Sequence, residues 1–325
     1  MKIIDMHCDT FSCIYKDSSI SLKENALSID ISKLKKGNYL AQCFAMFVPF
    51  SNQNLFKTCN EMITIFKEQI KKNENDIEQA FTYQDILKIQ DKGKIAAILT
   101  IEEGAVIENN LENLQYFYDL GVRMITLTWN YYNEIGYPNF LFNKDNPDFY
   151  HPNQKDGLTP FGIKMVEKMN ELGIIIDVSH LSDKGTYDVL KYSKQPFVAS
   201  HSNARNIHFH CRNLSDDLIL KMAQKGCVIG VNYCADFLVD KNTHFEHKSY
   251  VKDIVKHIKH IVSIGGIDCV GLGSDFDGIP YNLEMKDCSM LSLLVNELQK
   301  EGFNEEEIKK ICYENILNLF KKVLK

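Results

Sequence analysis

Eight short apolar runs recur along this chain, at residues 3–9, 41–48, 96–102, 124–130, 173–180, 197–202, 227–233 and 269–275. They are rich in Val and Ile and nearly continuous in apolarity, the pattern of strands covered on both faces. Longer amphipathic stretches separate them. Residues 55–72 place Leu55, Cys59, Met62, Ile63, Phe66 and Ile70 at helical spacing. Residues 162–172 and 216–224 follow the same rule, with Asn213 and Ser215 as candidate N-caps for the second. The tail from residue 304 opens on Asn304 with Glu305, Glu306 and Glu307 in its first turn, and closes on Lys321, Lys322 and Lys325. Strands alternating with helices in this number predict a (β/α)8 TIM-type barrel, built as a single domain over residues 1–325. A doubly wound open sheet fits less well, because no Gly-rich dinucleotide loop follows the first run.

The bulk numbers narrow the function. A net charge of −6 argues against nucleic acid as a partner. No stretch approaches 18 uninterrupted apolar residues, so no membrane span is expected. The ten cysteines have no C-x-x-C spacing, and the start Met1-Lys-Ile-Ile-Asp5 does not read as a signal peptide. The expectation is a cytoplasmic protein with reduced, mostly buried thiols.

Chemistry concentrates where the apolar runs end, as on the catalytic face of a barrel. The first run ends His7-Cys8-Asp9, and residues two apart on a strand share a side. His7 and Asp9 thus offer a two-ligand bite to a borderline metal such as zinc, with Asp5 behind them as support. Glu102 ends the third run and can bridge two metals; its neighbour Glu103 is the weaker candidate. His180 and His201 end the fifth and sixth runs, adjacent in a barrel and able to clasp one ion. His151, His208, His210, His244, His247, His257 and His260 lack such placement and mostly read as surface residues. Asp275 ends the last run in Gly-Ser-Asp275-Phe-Asp277-Gly, where it can act as general base; Asp277 suits a turn. Arg212, one of only three arginines, follows the sixth run beside Asn213 and can pair with a substrate carboxylate. Five ligands exceed the three plus water of a catalytic zinc. Two metals sharing them, with Glu102 between and a hydroxide held by both, fit an attack on a carbonyl carbon. The long segment 131–157 follows the fourth run and can cover the mouth.

These residues carry a resemblance. Ile4-Asp-Met-His-Cys-Asp9, Thr100-Ile-Glu-Glu-Gly104, Gly157-Leu-Thr-Pro-Phe-Gly162, Ile176-Asp-Val-Ser-His180, Ser200-His-Ser-Asn-Ala204, Arg212-Asn213 and Gly271-Leu-Gly-Ser-Asp-Phe-Asp-Gly278 stand in order along nearly the whole chain. Together they resemble the renal (membrane) dipeptidase family of zinc metallopeptidases, whose barrel looks like that of amidohydrolases. The resemblance implies two zinc ions per chain, with His7, Asp9 and Glu102 on one and Glu102, His180 and His201 on the other. It implies that Asp275 handles the proton of the attacking water and the leaving amine, and that Arg212 holds the C-terminal carboxylate of a dipeptide. It also implies a homodimer and acceptance of a D-residue at the C-terminal position. A related hydrolase of acyl-amino acids or lactams, and a metal-binding scaffold without catalysis, are the alternatives.

The chain departs from that pattern at several points. Glu102-Glu103-Gly104 stands where the family has Glu-Gly-Gly, which sets an extra charge beside the bridge. The signal and lipid-anchor segments of the membrane-bound members are not found, in keeping with a soluble form. Leu127-Thr128-Trp129-Asn130 stands where the best-known members have Leu-Thr-His. Trp129 is therefore expected to wall the substrate pocket rather than replace that His.

Overall fold

Chain order already dictates most of the topology. The computed structural model describes residues 1–50, 54–141, 148–241, 243 and 247–325. Its strands are β1 Ile3–Asp5, β2 Tyr39–Phe47, β3 Ile77–Gln79, β4 Ile95–Glu102, β5 Val122–Thr126, β6 Ile175–Asp177, β7 Val198–Ala199, β8 Val228–Val231 and β9 Val270–Leu272. The sheet runs β2-β1-β9-β8-β7-β6-β5-β4, and β2 pairs with β4 to close a ring of eight parallel strands. Parallel neighbours need crossovers, and helices such as Leu55–Lys72 and Pro160–Leu172 supply them. The predicted (β/α)8 TIM-type barrel is what forms.

Strand β3 has no counterpart among the eight apolar runs. It pairs Ile77–Gln79 with Ile95–Ala97 at the start of β4, while β5 takes the same side of β4 from Leu99 onward. It is short and carries Glu78 and Gln79, both part-exposed, so it leaves no apolar signature.

Strand alternation aims the site. Along β4, Ala96 and Ile98 belong to the cluster inside the ring, with Ile4, Met6, Met124, Ile175 and Val198. Ile95, Ala97, Leu99 and Ile101 belong to the cluster under the helices. Glu102 shares the inward phase of Ala96 and Ile98, so it points into the mouth. The helix Asn315–Val323 plugs the opposite end with Ile316, Leu319, Phe320 and Val323. The helix at residue 216 is capped by Ser215, whose hydroxyl accepts from Leu218 N; Asn213 is not its cap.

The first strand departs from expectation. Regular pairing stops at Asp5, with Ile4 and Met6 inside the ring. Strict alternation cannot then put Asp5, His7 and Asp9 on that same face. The chain breaks phase after Met6, and Cys8 and Asp9 pair locally with Phe276 instead. The described part of 131–157 is anchored: Asn139 N donates to His180 O at 3.0 Å, and Ser182 N donates to Tyr137 O at 2.9 Å.

Candidate metal centre and its surroundings

Glu102 sits between two groups of nitrogen and oxygen atoms. Its Oε2 lies 3.2 Å from His7 Nε2, and its Oε1 lies 3.1 Å from His180 Nε2 and 3.7 Å from His201 Nε2. His7 Nε2 is 3.4 Å from Asp9 Oδ2 and 3.8 Å from Asp275 Oδ1. All six side chains are buried or nearly so. The structure therefore brings together every residue singled out as a ligand, His7, Asp9, Glu102, His180 and His201, with Asp275 beside them.

Their second bonds fix which nitrogen is free. Asn130 Oδ1 lies 2.8 Å from His180 Nδ1 and accepts its proton. Ser200 donates its hydroxyl proton to Asp177 Oδ2 at 2.6 Å, so its oxygen accepts from His201 Nδ1 at 2.7 Å. Burial holds both imidazoles well below the usual histidine range, with Arg212 and His7 adding to it, so both are neutral. Their Nε2 atoms then carry lone pairs, yet they face each other at 2.9 Å. Two lone pairs at that separation repel unless a cation lies between them and Glu102. Two ligands on one tetrahedral zinc lie ~3.3 Å apart for bonds of about 2.0–2.1 Å, close to the separations on both sides of Glu102. Asp9 Oδ1 and His7 Nε2 are buried without an aligned hydrogen bond. The donor set, imidazole and carboxylate with anchored second nitrogens, fits zinc.

The carboxylates are crowded. Burial pushes Asp275 up to about 8, against the pull of His7 and with the help of Asp9 and Glu102. Burial also raises Glu102, although His7 opposes it. His7 is disfavoured as a cation by burial, but Glu102 and Asp9 outweigh that and lift it well above its ordinary value. Cations in the site would reverse these directions. The backbone is strained where the site forms: His180 and Asp275 adopt φ of +72° and +62°. Gly278 makes room for the carboxylates, since a Cβ there would lie 2.1 Å from Asp9 Oδ2 and 2.8 Å from Asp275 Oδ1.

Arg212 is buried beside this centre. Its Nη2 donates to His201 O at 3.1 Å, its guanidinium stacks on Phe237 at 5.4 Å, and its Nε has no partner. Among the described residues no carboxylate lies within ion-pair distance of it, so no structural salt bridge holds Arg212 there. Asn213 acts on the backbone instead. Its amide donates to His208 O and Phe237 O, which holds the loop that carries Arg212. Trp129 packs between Phe47, Tyr131 and the ring of His180, 5.9 Å away. Asp277 is a turn residue, as expected, accepting from Thr10 Oγ1 and Ser28 N. Glu103 is the extra carboxylate beside the bridge: burial pushes it up to about 7, and the neighbouring Glu102 adds to that. Its carboxylate turns away and accepts from Trp129 N, Asn133 Nδ2 and Ala105 N.

Sequence reasoning misses the supports. Asp177 accepts from Ser179 N, Ser200 N, Ser200 Oγ and Thr126 Oγ1, so its oxygens are committed to orienting His201. Asn232 Nδ2 donates to Asp275 Oδ2 at 2.8 Å. Asn130 closes one apolar run and Asn232 stands one residue before the end of another, so their place near the mouth is legible in sequence while their bonds are not. Two of the remaining histidines are not at the surface. His257 is fully buried, accepting from Ala204 N and facing Leu238 O, and His210 is buried and accepts from Arg212 N. Neither is the surface residue expected from sequence; His257 shares a helix face with Ile254, Ile258 and Ile261, which is the signal that could reveal it. His208, His247 and His260 are half-buried, His151 is exposed, and His244 lies outside the described residues.

The comparisons with known proteins agree with this geometry. An uncharacterized dipeptidase of Schizosaccharomyces pombe is 30% identical over 315 residues, 92% of this chain and 73% of the relative. A Klebsiella pneumoniae protein from the pqqA 5' region is 32% identical over 263 residues, 81% of this chain and 95% of the relative. The fold matches a crystal structure of dipeptidase AC, a metallopeptidase of family M19, with TM-score 0.89, 23% identity and coverage of 100% and 99%. It equally matches a Rhodobacter sphaeroides metallopeptidase solved with a phosphinate mimic of L-Ala-D-Ala, with TM-score 0.88, 22% identity and 99% coverage of both chains. The family model for membrane dipeptidase matches residues 1–325 from end to end, and with the yeast relative it decides the matter: the chain belongs to the membrane dipeptidase family, peptidase family M19.

Proposed function

We propose that this chain is a di-zinc dipeptidase, and that its substrate is a dipeptide with a free C-terminal carboxylate. The observation that carries the reading is Glu102, whose two oxygens face His7 on one side and His180 and His201 on the other. His7, Asp9 and Glu102 would hold one ion; Glu102, His180 and His201 would hold the second. Bound there, the zinc ions supply Lewis acidity at the scissile carbonyl and acidify water.

The chain's own residues do the rest. Arg212 can grip the carboxylate through N–H groups that no protein carboxylate occupies. That places the peptide bond beside Asp275. Asp275 takes a proton from the attacking water as its oxygen bonds to the carbonyl carbon, and delivers it to the amine nitrogen as the C–N bond breaks. Asn232 holds the unused oxygen of Asp275 in place. The products are two free amino acids.

Further points belong to the same reading. One catalytic domain over residues 1–325 is supported by a ring that uses strands from Ile3 to Leu272 and is plugged by the last helix. A cytoplasmic setting is supported by ten free thiols, nine of them buried. No described helix is long and apolar enough to cross a membrane. A homodimer rests on family resemblance alone, and sedimentation would test it.

The direct test is a screen of L,L, L,D and D,D dipeptides with added zinc, followed by metal analysis. The mimic bound by the Rhodobacter sphaeroides neighbour puts L-Ala-D-Ala first in it. Two zinc equivalents and turnover of at least one dipeptide are expected. Turnover of lactams or acyl-amino acids alone would replace the dipeptide reading.

Arg212→Ala tests the carboxylate grip. A charge-assisted hydrogen bond contributes about 1.5–3 kcal/mol, so kcat/KM for dipeptides should fall roughly 10–150-fold. Their C-terminal amides should fall far less. Equal losses on both would make Arg212 structural.

Trp129→Phe tests the pocket wall. The substitution keeps an aromatic surface against Phe47 and His180 and deletes the indole N–H. KM and side-chain preference should change more than kcat. A correctly placed oxyanion donor is worth about 10²–10³-fold in kcat, so a drop of that size at constant zinc content would make the indole a donor.

A further inference from the structure

Glu103 immediately follows the residue between the two ligand groups, yet it belongs to a different network. It is fully buried and adopts φ +76°, a conformation costly for any residue with a Cβ. The turn points its carboxylate away from the metal centre and into the strand-end segment after β5. There Oε2 accepts from Trp129 N at 2.9 Å, and Oε1 accepts from Asn133 Nδ2 at 2.6 Å and Ala105 N at 3.0 Å. Asn133 passes the constraint on: its Nδ2 also donates to Leu127 O, and its Oδ1 accepts from Ile135 N and Gly136 N. Gly104 lets this segment close in, since a Cβ there would lie 2.7 Å from Leu127 O and 2.5 Å from the Ile135 side chain. Within the segment, Asn130 Oδ1 holds His180 Nδ1 at 2.8 Å and Trp129 packs on the His180 ring.

A buried carboxylate is expensive unless its oxygens are satisfied. A merely structural strand end needs no such group. The arrangement here fixes the residue that decides which nitrogen of His180 is free to bind. We infer that Glu103 is a positioning residue: by clamping the backbone of Trp129 and the side chain of Asn133, it seats Asn130 so that His180 presents Nε2 to the centre. The chain thus holds two of its three ligand histidines by separate supports, Glu103 through Asn130 for His180, and Asp177 through Ser200 for His201.

The inference rests on the metal reading above, and its test separates the two. Glu103→Gln keeps the shape but leaves one acceptor oxygen for three donors, and its amide N–H groups oppose the rest. Two quantities are read: zinc affinity of the metal-free chain by titration against a chelator, and the ring-nitrogen signals of His180 by NMR without metal. Residues that orient ligands typically contribute about 10–100-fold to metal affinity. We expect a loss of that size for one of two ions, and a mixture of His180 tautomers where the wild type has one. In an Asn130→Ala background the Glu103→Gln penalty should nearly vanish, because the route is already cut. Asn133→Ala removes one of the three donors to Glu103, together with the bonds of Asn133 to Leu127 O, Ile135 N and Gly136 N, while Trp129 N and Ala105 N still hold the carboxylate; it should shift zinc affinity and the His180 tautomer in the same direction, which serves if Glu103→Gln does not fold. Wild-type zinc affinity and a single wild-type His180 tautomer in the variant, even with lowered Tm, would overturn the inference. So would additive effects of Glu103→Gln and Asn130→Ala. A wild-type chain that binds no zinc would remove the metal reading, while the tautomer signals still decide the role of Glu103.

Discussion

Asp275→Asn should lower kcat about 10²–10⁴-fold, the usual contribution of a positioned acid-base group, with both zinc ions still bound. The variant keeps the size of the side chain and an oxygen for Asn232 Nδ2 to donate to, as it does now at 2.8 Å. What it loses is the capacity to take up a proton. The other oxygen of Asp275 faces His7 Nε2 at 3.8 Å, beyond hydrogen-bond reach, so it is not spent on structure. Its position is held by a strained backbone, φ +62°, and by the space that Gly278 leaves between it and Asp9. Such strain survives only where the surroundings over-determine it. Steady-state kinetics on the best dipeptide, with metal analysis on the same sample, checks the prediction. Unchanged kcat would remove Asp275 from proton transfer. A loss accompanied by missing zinc would recast it as a ligand.

The parts of this site that are legible in the sequence are those set by strand geometry. Glu102 can be aimed because β4 keeps strict alternation for its whole length, Ala96 and Ile98 inward, Leu99 and Ile101 outward. His180 and His201 can be paired because adjacent barrel strands bring their ends together. His7 and Asp9 reach the centre by another route, since the chain breaks phase after Met6. Alternation brings His7 and Asp9 to the centre for the wrong reason, and misplaces Asp5, which accepts from the backbone of His7 and Ser274. The supports are illegible because side-chain hydrogen bonds have no periodicity. Asn130, Ser200, Asn232 and Glu103 acquire their roles only when distant strand ends meet. Strand β3 stays hidden for lack of an apolar run, and His257 for being polar on an apolar helix face.

On the di-zinc proposal, removing the metal should have a comparably large effect. Metal polarisation supplies several kcal/mol of transition-state stabilisation, and at 1.36 kcal/mol per decade chelation should cut turnover by more than about 10³-fold, restored by zinc. Full activity after chelation would end the metal reading. The same step should expose a pH dependence with a definite sign. Without cations the folded site is proton-rich: Asp275 is pushed up to about 8, Glu102 is raised, and His7 is lifted well above its ordinary value. Raised acids favour the folded state while protonated, and that contribution fades as pH climbs from the ordinary carboxylate range to the folded value. Raised His7 behaves alike, being stabilising below the ordinary histidine value and losing that as pH passes its folded value. His180 and His201 act oppositely, but only below about pH 6.5, where the unfolded imidazoles still bind protons. Above neutrality the first set governs. The metal-free chain should therefore lose stability between about pH 7 and about pH 8.5, where Asp275 becomes an uncompensated anion beside Asp9 and Glu102. Zinc bound there would supply the missing positive charge and release those protons. The rise in Tm on adding two equivalents of zinc should thus be larger at the higher pH, read by thermal melts with and without metal. An equal or smaller rise there would mean that these carboxylates do not meet the ions.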